Sequence, residues 1–389
     1  MVSTGLPRTK QGSVEGVNRS IVLVYLASFG AFASFYLLLG VVPLFAKDSG
    51  HGSFGGAIST AVFMLATVLA ELVTTRVMRA IGTKYVLAIG VALMTMPVFA
   101  LLLDTSLALI LVVSVFRGIG FAFVVVASST MVADLAPAGR RGEWIGIYGV
   151  VVSVPSIVFL PFGVWLIDHV GFAALFVAAG SCFVFAVITA VVRIPVPVAQ
   201  ELTGMLHALR TPTVLPLAAV FTVSALSSGL LITYLPLDFD PGIAAIGLFV
   251  MGVATTSARW VAGRFADRRD AWLLLIPSFV LAVVGLLIVL FAPPLMIVGA
   301  VLFGAAFGAL QNSSIHLMFD ATGPSGFGAV SAIWNIAFDL GLGLGAFAFG
   351  VLAADYALVL AAVLLAASIA LIAFSRRSGS SYSSQVTPG

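Results

Sequence analysis

The chain has 389 residues, of which 61% are hydrophobic and only 8% charged, and its mean hydropathy is +1.20. A soluble domain carries about a quarter charged residues, so this composition excludes a soluble globular enzyme or binding module. The net charge of +3 comes from residues scattered among loops, with no basic domain for a nucleic-acid partner, and a single cysteine, Cys182, excludes an intrachain disulfide.

Residues Met1 to Asn18 are polar, and the apolar run that begins near Ile21 is too long for the core of a signal peptide. Twelve apolar segments follow, at about 20–45, 54–80, 84–103, 107–133, 143–167, 172–193, 213–236, 243–265, 272–291, 294–319, 327–353 and 356–375. Each is long enough to cross a bilayer of about 30 Å as a helix. The breaks between them, among them "KDSGHGS", "DHVG" and "DFDPG", combine helix-stopping Asp and Pro with Gly for the reversals. The longest, Ile194 to Val214, divides the spans six and six, and within it residues 199–210 are expected to form a short amphipathic helix at the membrane surface. The expected organisation is an all-α membrane protein with an N-terminal six-helix unit (1–193), a linker (194–212) and a C-terminal six-helix unit (213–389).

Fifteen of the 18 Lys and Arg fall on the side that carries the N-terminus, the linker and the C-terminus. Lys47 alone falls on the other side, where Asp48, Asp104, Asp168, Asp238, Asp240 and Asp355 collect; Arg117 and Arg259 lie within spans. The positive-inside rule then places both termini in the cytoplasm, with the chain in the plasma membrane.

The two halves repeat. "RGIGFAFVVVASSTMVADLAPAGRRG" in the fourth span and its loop matches "FGAAFGALQNSSIHLMFDATGPSGFG" in the tenth at a shift of 186 residues, pairing Gly118 with Gly304, Phe121 with Phe307 and Asp134 with Asp320. "ELVTTRVMRAIGTK" at the end of the second span matches "RWVAGRFADRRD" at the end of the eighth at a shift of 188. A parallel six-span duplication suits a transporter whose halves rock about a central site.

"GRFADRRD", Gly263 to Asp270, resembles the loop that follows the second and eighth spans of the major facilitator superfamily. The resemblance extends over nearly the whole chain and is closest to the twelve-span drug:proton antiporters. It implies the major facilitator fold, with two pseudo-symmetric six-helix bundles, and a cytoplasmic gate at Gly263, Asp267 and Arg268. The N-terminal copy keeps Gly82 but carries Thr75 in place of the first Gly and Arg79 in place of the acid. "RGIGFAF", from Arg117, is similar to the fourth-span segment that members use in proton coupling, and Pro161 and Gly163 fit the fifth-span antiporter pattern, which Leu160 breaks.

Four ionisable residues lie well inside spans: Glu71, Arg117, Arg259 and Asp339. A charge at the bilayer centre costs about 3 kcal/mol or more, and is retained for a function or a partner. A carboxyl in such a place can load a proton from one side and release it to the other, which is one reading of Asp339 and Glu71; the others are a structural bond to Arg117 or Arg259, or contact with substrate. Arg259 is equally a brace for the eighth span. Tyr36, Tyr148, Tyr234, Gln311, Asn312, Trp334, Asn335 and Phe338 are candidates to line the substrate cavity, an aromatic wall with few polar groups. Gly341, Gly343 and Gly345 give Asp339's span a small face for close helix approach. The first span has no ionisable residue, although several multidrug members of the family carry an acid there.

No His-Glu-x-x-His, Gly-x-Ser-x-Gly or P-loop pattern occurs. The expected activity is therefore not enzymatic: proton-coupled export of a small amphipathic organic molecule, or alternatively import or facilitated passage of a sugar-like or other polar metabolite. No cofactor or metal is expected. The partners are a small-molecule substrate, protons and lipid, and the chain is expected to be a monomer.

Overall fold

The computed structural model describes residues 8–136, 141–191, 203–323 and 326–383, and their regular structure is helical throughout. Most of the linker, 192–202, lies outside the described residues. The helices are α1 (Arg8–Leu39), α2 (Val41–Ala46), α3 (Gly52–Ile81), α4 (Thr83–Thr95), α5 (Leu107–Leu135), α6 (Arg141–Ser181), α7 (Val184–Val191), α8 (Thr203–Leu209), α9 (Val214–Asp238), α10 (Pro241–Ala266), α11 (Trp272–Phe291), α12 (Met296–Thr322), α13 (Phe327–Val351) and α14 (Ala354–Ser383).

Among the described residues, ten continuous helical stretches are long and apolar enough to cross a membrane, and two of these, Ser20–Ile81 with 62 residues and Ile147–Val187 with 41, have the length of two passes. Each of the two reverses at glycine. Gly50 (φ 93°) and Gly52 (φ 63°) turn the chain so that α2 packs back on α3, where Pro43 meets Gly56. Gly171 (φ 72°) turns α6: its first part runs beside α1, with Gly163 against Leu37, and its second returns, with Phe176 against Phe45 and then Phe185 against Gly30. Only glycine enters this left-handed region at little cost, and with the two reversals the ten stretches are consistent with twelve passes. The sixth pass is interrupted at Cys182 and Phe183, between α6 and α7.

The other boundaries follow from local chemistry. Asp240 caps α10, accepting from the Gly242 and Ile243 N–H groups at 2.9 and 3.4 Å, and Pro241 opens the first turn. Ser106 caps α5 through the Leu109 N–H. Gly82 (φ 92°) closes α3.

The duplication is present in the packing. Gly118 of α5 lies against the Phe63 carbonyl of α3, and Gly304 of α12 lies against the Met251 carbonyl of α10. These contacts correspond at shifts of 186 and 188. A further pair corresponds at 186: Phe35 stacks on Phe121 at 4.2 Å, and Phe221 on Phe307 at 6.4 Å. The halves meet along α3 with α13, where Gly343 faces Met64 and Gly350 faces Ala57, and along α6 with α10, where Gly252 faces Ile157. In these apolar surroundings, small residues let the backbones approach and gain dispersion contacts.

The linker helix differs from the sequence expectation. Among the described residues it runs Thr203–Leu209, with 199–202 of the expected helix lying outside them, and it docks on the protein, with Gly204 beside Ala329 of α13 and Ala208 buried. Its Met205 and Ala208 fit the end of α13, so they are covered by protein instead of lipid.

On the side opposite the linker the halves are closed. The Lys47 ammonium donates to the Leu237 carbonyl at the end of α9, and Pro236 and Leu237 pack near Gly40 and Gly56. A cation on a helix C-terminal carbonyl is favourable both as a charge-assisted bond and with the helix dipole. Removing it in Lys47→Met is expected to cost the closed state roughly 1.5 kcal/mol, about a tenfold shift in population. Spin labels at Ser53→Cys and Asp355→Cys, in a Cys182→Ser background, should then report longer distances across this face. An unchanged distance distribution would show that Lys47 does not hold it.

Candidate functional site

Two buried carboxyls lie on the seam between the halves. Glu71, on α3, is 8% exposed, and Asp339, on α13, is 3% exposed. Their carboxyl groups face each other within direct interaction range. The alignment is poor, and both Glu71 oxygens are left without a well-formed hydrogen bond. No arginine neutralises the pair: among the described residues neither carboxyl has an ion-pair partner, which sets aside the reading of Asp339 as the salt-bridge partner of Arg117 or Arg259. Two carboxyls this close cannot both be charged without strong repulsion, so the pair is a natural place to share a proton.

The pair is reached from the linker side. A cleft of about 90 Å³ is lined by Glu71, Leu72, Thr75, Val126, Met205, Gly328, Ala329, Ala332, Asn335 and Ile336. It combines elements of both halves with the linker helix. Thr75, which stands where the loop pattern has glycine, has its hydroxyl buried here without a partner, one turn from Glu71 on the same face. The i, i+4 spacing from an intramembrane acid was the available signal.

Tyr36, on α1, joins the pair to the other half of the site. Its hydroxyl lies beside Ser156 of α6 and within the electrostatic reach of both Asp339 and Arg259. Ser156 carried no motif and was missed. Arg259, on α10, projects inward, its guanidinium 5.9 Å from the Trp334 ring centre. It is enclosed by protein yet open at its surface, and it makes no hydrogen bond or ion pair among the described residues, so it is not an ion-paired brace. Trp334 belongs to an aromatic stack with Phe221 (4.6 Å) and Phe338 (6.0 Å), and Phe307 lies 6.3 Å beyond Phe338. The Trp334 indole donates to Ser314 at 3.2 Å, and Ser314 donates to the Gln311 carbonyl. Asn312 lies against Gly263, at the contact of α12 with α10.

Other expected residues lie elsewhere. Arg117 is 3% exposed, donates to the Met94 carbonyl at 3.3 Å and stands 5.4 Å from the Phe63 ring centre. Phe63 precedes Glu71 by eight residues on α3, about 12 Å at 1.5 Å per residue, so Arg117 is not part of the carboxyl pair. Tyr148 bonds to Ser128 at 2.6 Å inside the N-terminal half. Tyr234 is four residues from the end of α9, against Phe239 and Phe349 and near Asp238 and Asp355, at the closed end and away from the carboxyl pair. At the expected gate, Asp267 terminates α10, but its side chain is exposed and bonds to nothing among the described residues; Arg268 is likewise exposed. Arg79 reaches only its own helix, at Thr75, and Gly82 ends that helix. His316 pairs with Asp320 at 3.5 Å on the surface of α12.

Comparison with known proteins bears on the family and the fold. The profile of the Major Facilitator Superfamily matches residues 24–346. An uncharacterized MFS-type transporter, YtbD of Bacillus subtilis, is 22% identical over 360 residues, covering 87% of this chain and 90% of its own. The quinolone resistance protein NorA of Staphylococcus aureus is also 22% identical, over 251 residues, or 60% of this chain and 64% of NorA. Two solved structures share the fold. One is a bacterial homologue of the human lysosomal transporter Spinster, inward-facing and unoccupied (TM-score 0.68, 15% identity, 93% and 97% of the two chains). The other is an auto-inhibited peptide transporter of the POT family (TM-score 0.72, 12% identity, 92% and 97%).

Proposed function

The chain belongs to the Major Facilitator Superfamily, and on that premise we propose that it is a proton-coupled secondary transporter that exports a small amphipathic organic molecule, and not an enzyme. The observation that carries this reading is the Glu71–Asp339 carboxyl pair, buried on the seam between the halves without a cation. A proton held there lowers the repulsion between α3 and α13 and favours closure of the linker side; its loss drives the two helices apart. Access to one side at a time is thereby tied to proton occupancy. Asp339 is the principal carrier and Glu71 its partner. The quinolone resistance named for NorA supports the outward direction, since removal of a drug from the cell is one way to resist it.

In this account residues 1–193 and 213–389 are the moving bodies, with 194–212 connecting them on the cytoplasmic side of the plasma membrane. The linker-side cleft is then open to the cytoplasm and the Lys47 contact closes the outside. Asp267, free here, is available to a gate that forms when the cytoplasmic side shuts. A thiol in the linker tests the orientation. Gly204 is exposed, with room for a side chain beside Ala329, so Gly204→Cys should fold normally. A membrane-impermeant maleimide should label it in inside-out vesicles and not in intact cells, and labelling of intact cells would reverse the assignment.

The function itself is tested in proteoliposomes with a panel of amphipathic compounds. At least one compound is expected to accumulate in vesicles with an acid interior and to equilibrate without accumulation when the gradient is collapsed. Accumulation that ignores the pH gradient would refute proton coupling.

A further inference from the structure

An arginine inside a membrane protein is retained when something neutralises it or when it meets a ligand. Arg259 has no carboxylate partner, although Glu71 and Asp339 are in the same seam. Its surroundings come from both halves: Tyr36 on α1, and Trp334 on α13. Arg259 is enclosed by protein yet keeps accessible surface. Gly308 of α12 lies directly against the Thr255 carbonyl and the Arg259 backbone nitrogen, a close approach of α12 to α10 that fixes the stretch of backbone carrying Arg259.

We infer that Arg259 is the anion-binding residue of the substrate site and that the substrate is an aromatic carboxylate. This rests on the transport reading above and names the class of molecule carried. The guanidinium presents a planar fork that matches a carboxylate bidentately, and such a bond is strongest where water is scarce. Tyr36 supplies a hydroxyl within electrostatic reach of the fork. The guanidinium stands 5.9 Å from the Trp334 ring, which begins a row of nearly parallel rings, at 14° to Phe221 and 7° to the half-buried Phe338. A phosphate or sulfate would require several donors. This wall instead offers one cation, one hydroxyl and an aromatic face, which suits a flat ring bearing a single carboxylate. Tyr36 is within electrostatic reach of both Arg259 and Asp339, while Arg259 and the carboxyl pair make no ion pair with each other, so proton and substrate are assigned to separate groups.

Calorimetric binding to the purified full-length protein tests the assignment with three matched probes: naphthalene-2-carboxylate, its methyl ester and 2-naphthylmethylamine. The carboxylate is expected to bind at least tenfold more tightly than either neighbour. Arg259→Gln should weaken carboxylate binding at least tenfold and leave the ester within twofold, and Arg259→Lys should recover only part of the loss. Tyr36→Phe, which removes one hydroxyl and no charge, should narrow the carboxylate preference several-fold and serves if the arginine variants fail to fold. Equal or tighter binding of the ester or the amine, no binding of any probe, or an equal loss for all three in Arg259→Gln would overturn the inference. These measurements need no gradient. A transporter indifferent to pH would refute proton coupling and leave Arg259's role standing, whereas pH-driven transport without carboxylate preference would do the reverse.

Discussion

Asp339→Asn is expected to abolish accumulation of substrate against a gradient, by at least tenfold, while leaving equilibration down a gradient in place. Asparagine keeps the size and a hydrogen-bonding group but cannot exchange a proton. The variant therefore retains the packing of α13 on α3 and loses only the step that links closure to proton occupancy. Asp339 is 3% exposed and has no basic partner among the described residues, so no released arginine complicates the result. Glu71→Gln leaves one carboxyl on the seam and should reduce accumulation only several-fold. Normal accumulation by Asp339→Asn would make the aspartate a structural group.

Gly345→Val is expected to cause the largest loss of folded protein of any single change in α13. A Cβ at Gly345 would fall on the Leu226 carbonyl and the Leu230 N–H of α9, and Gly341, one turn away, lies on the Thr222 carbonyl. These are backbone atoms, which cannot rotate aside, and overpacking of this kind costs roughly 1–3 kcal/mol or more. Thermal unfolding in detergent should show a lowered Tm and a smaller monodisperse fraction. Gly149→Ala is the control: no atom lies within 4 Å of its Cβ position, and a helical alanine is favoured over glycine by roughly 0.5–1 kcal/mol, so that variant should be at least as stable as the parent. An unaffected Gly345→Val would mean that α9 and α13 do not pack as closely as described.

The fold was legible because its signals are local or periodic. Apolar runs mark the passes, and the Gly-bearing breaks "KDSGHGS" and "DHVG" fall where Gly50, Gly52 and Gly171 reverse the chain. The duplication could be read from Gly118 and Gly304, although its clearest aromatic counterpart, Phe35–Phe121 against Phe221–Phe307, involves a first pass with no motif to draw attention to it.

The site was legible residue by residue but not as an arrangement. Glu71 and Asp339 were conspicuous as charges in apolar helices, yet nothing in either helix says that they meet, since the contact depends on how two halves pack. The same limit hid the lack of a partner for Arg259 and the place of Ser156 beside Tyr36. Tyr234 looked equivalent to Tyr36 as an aromatic in a span, but depth decides: four residues from the end of α9, it belongs to the closed end. The linker helix carried an amphipathic pattern, and pattern alone does not distinguish a face turned to lipid from one turned to α13.

The most direct measurement is of the proton itself. Proteoliposomes with an acid interior and a lumenal pH dye are challenged with a transported compound, and the wild-type chain is compared with the Glu71→Gln/Asp339→Asn double variant at equal reconstituted amounts. The account predicts that the compound makes the wild-type lumen alkalinise as protons leave in exchange, and that the double variant gives no more alkalinisation than protein-free vesicles while still binding the compound. Compound-driven proton efflux at the wild-type rate through the double variant would contradict the account.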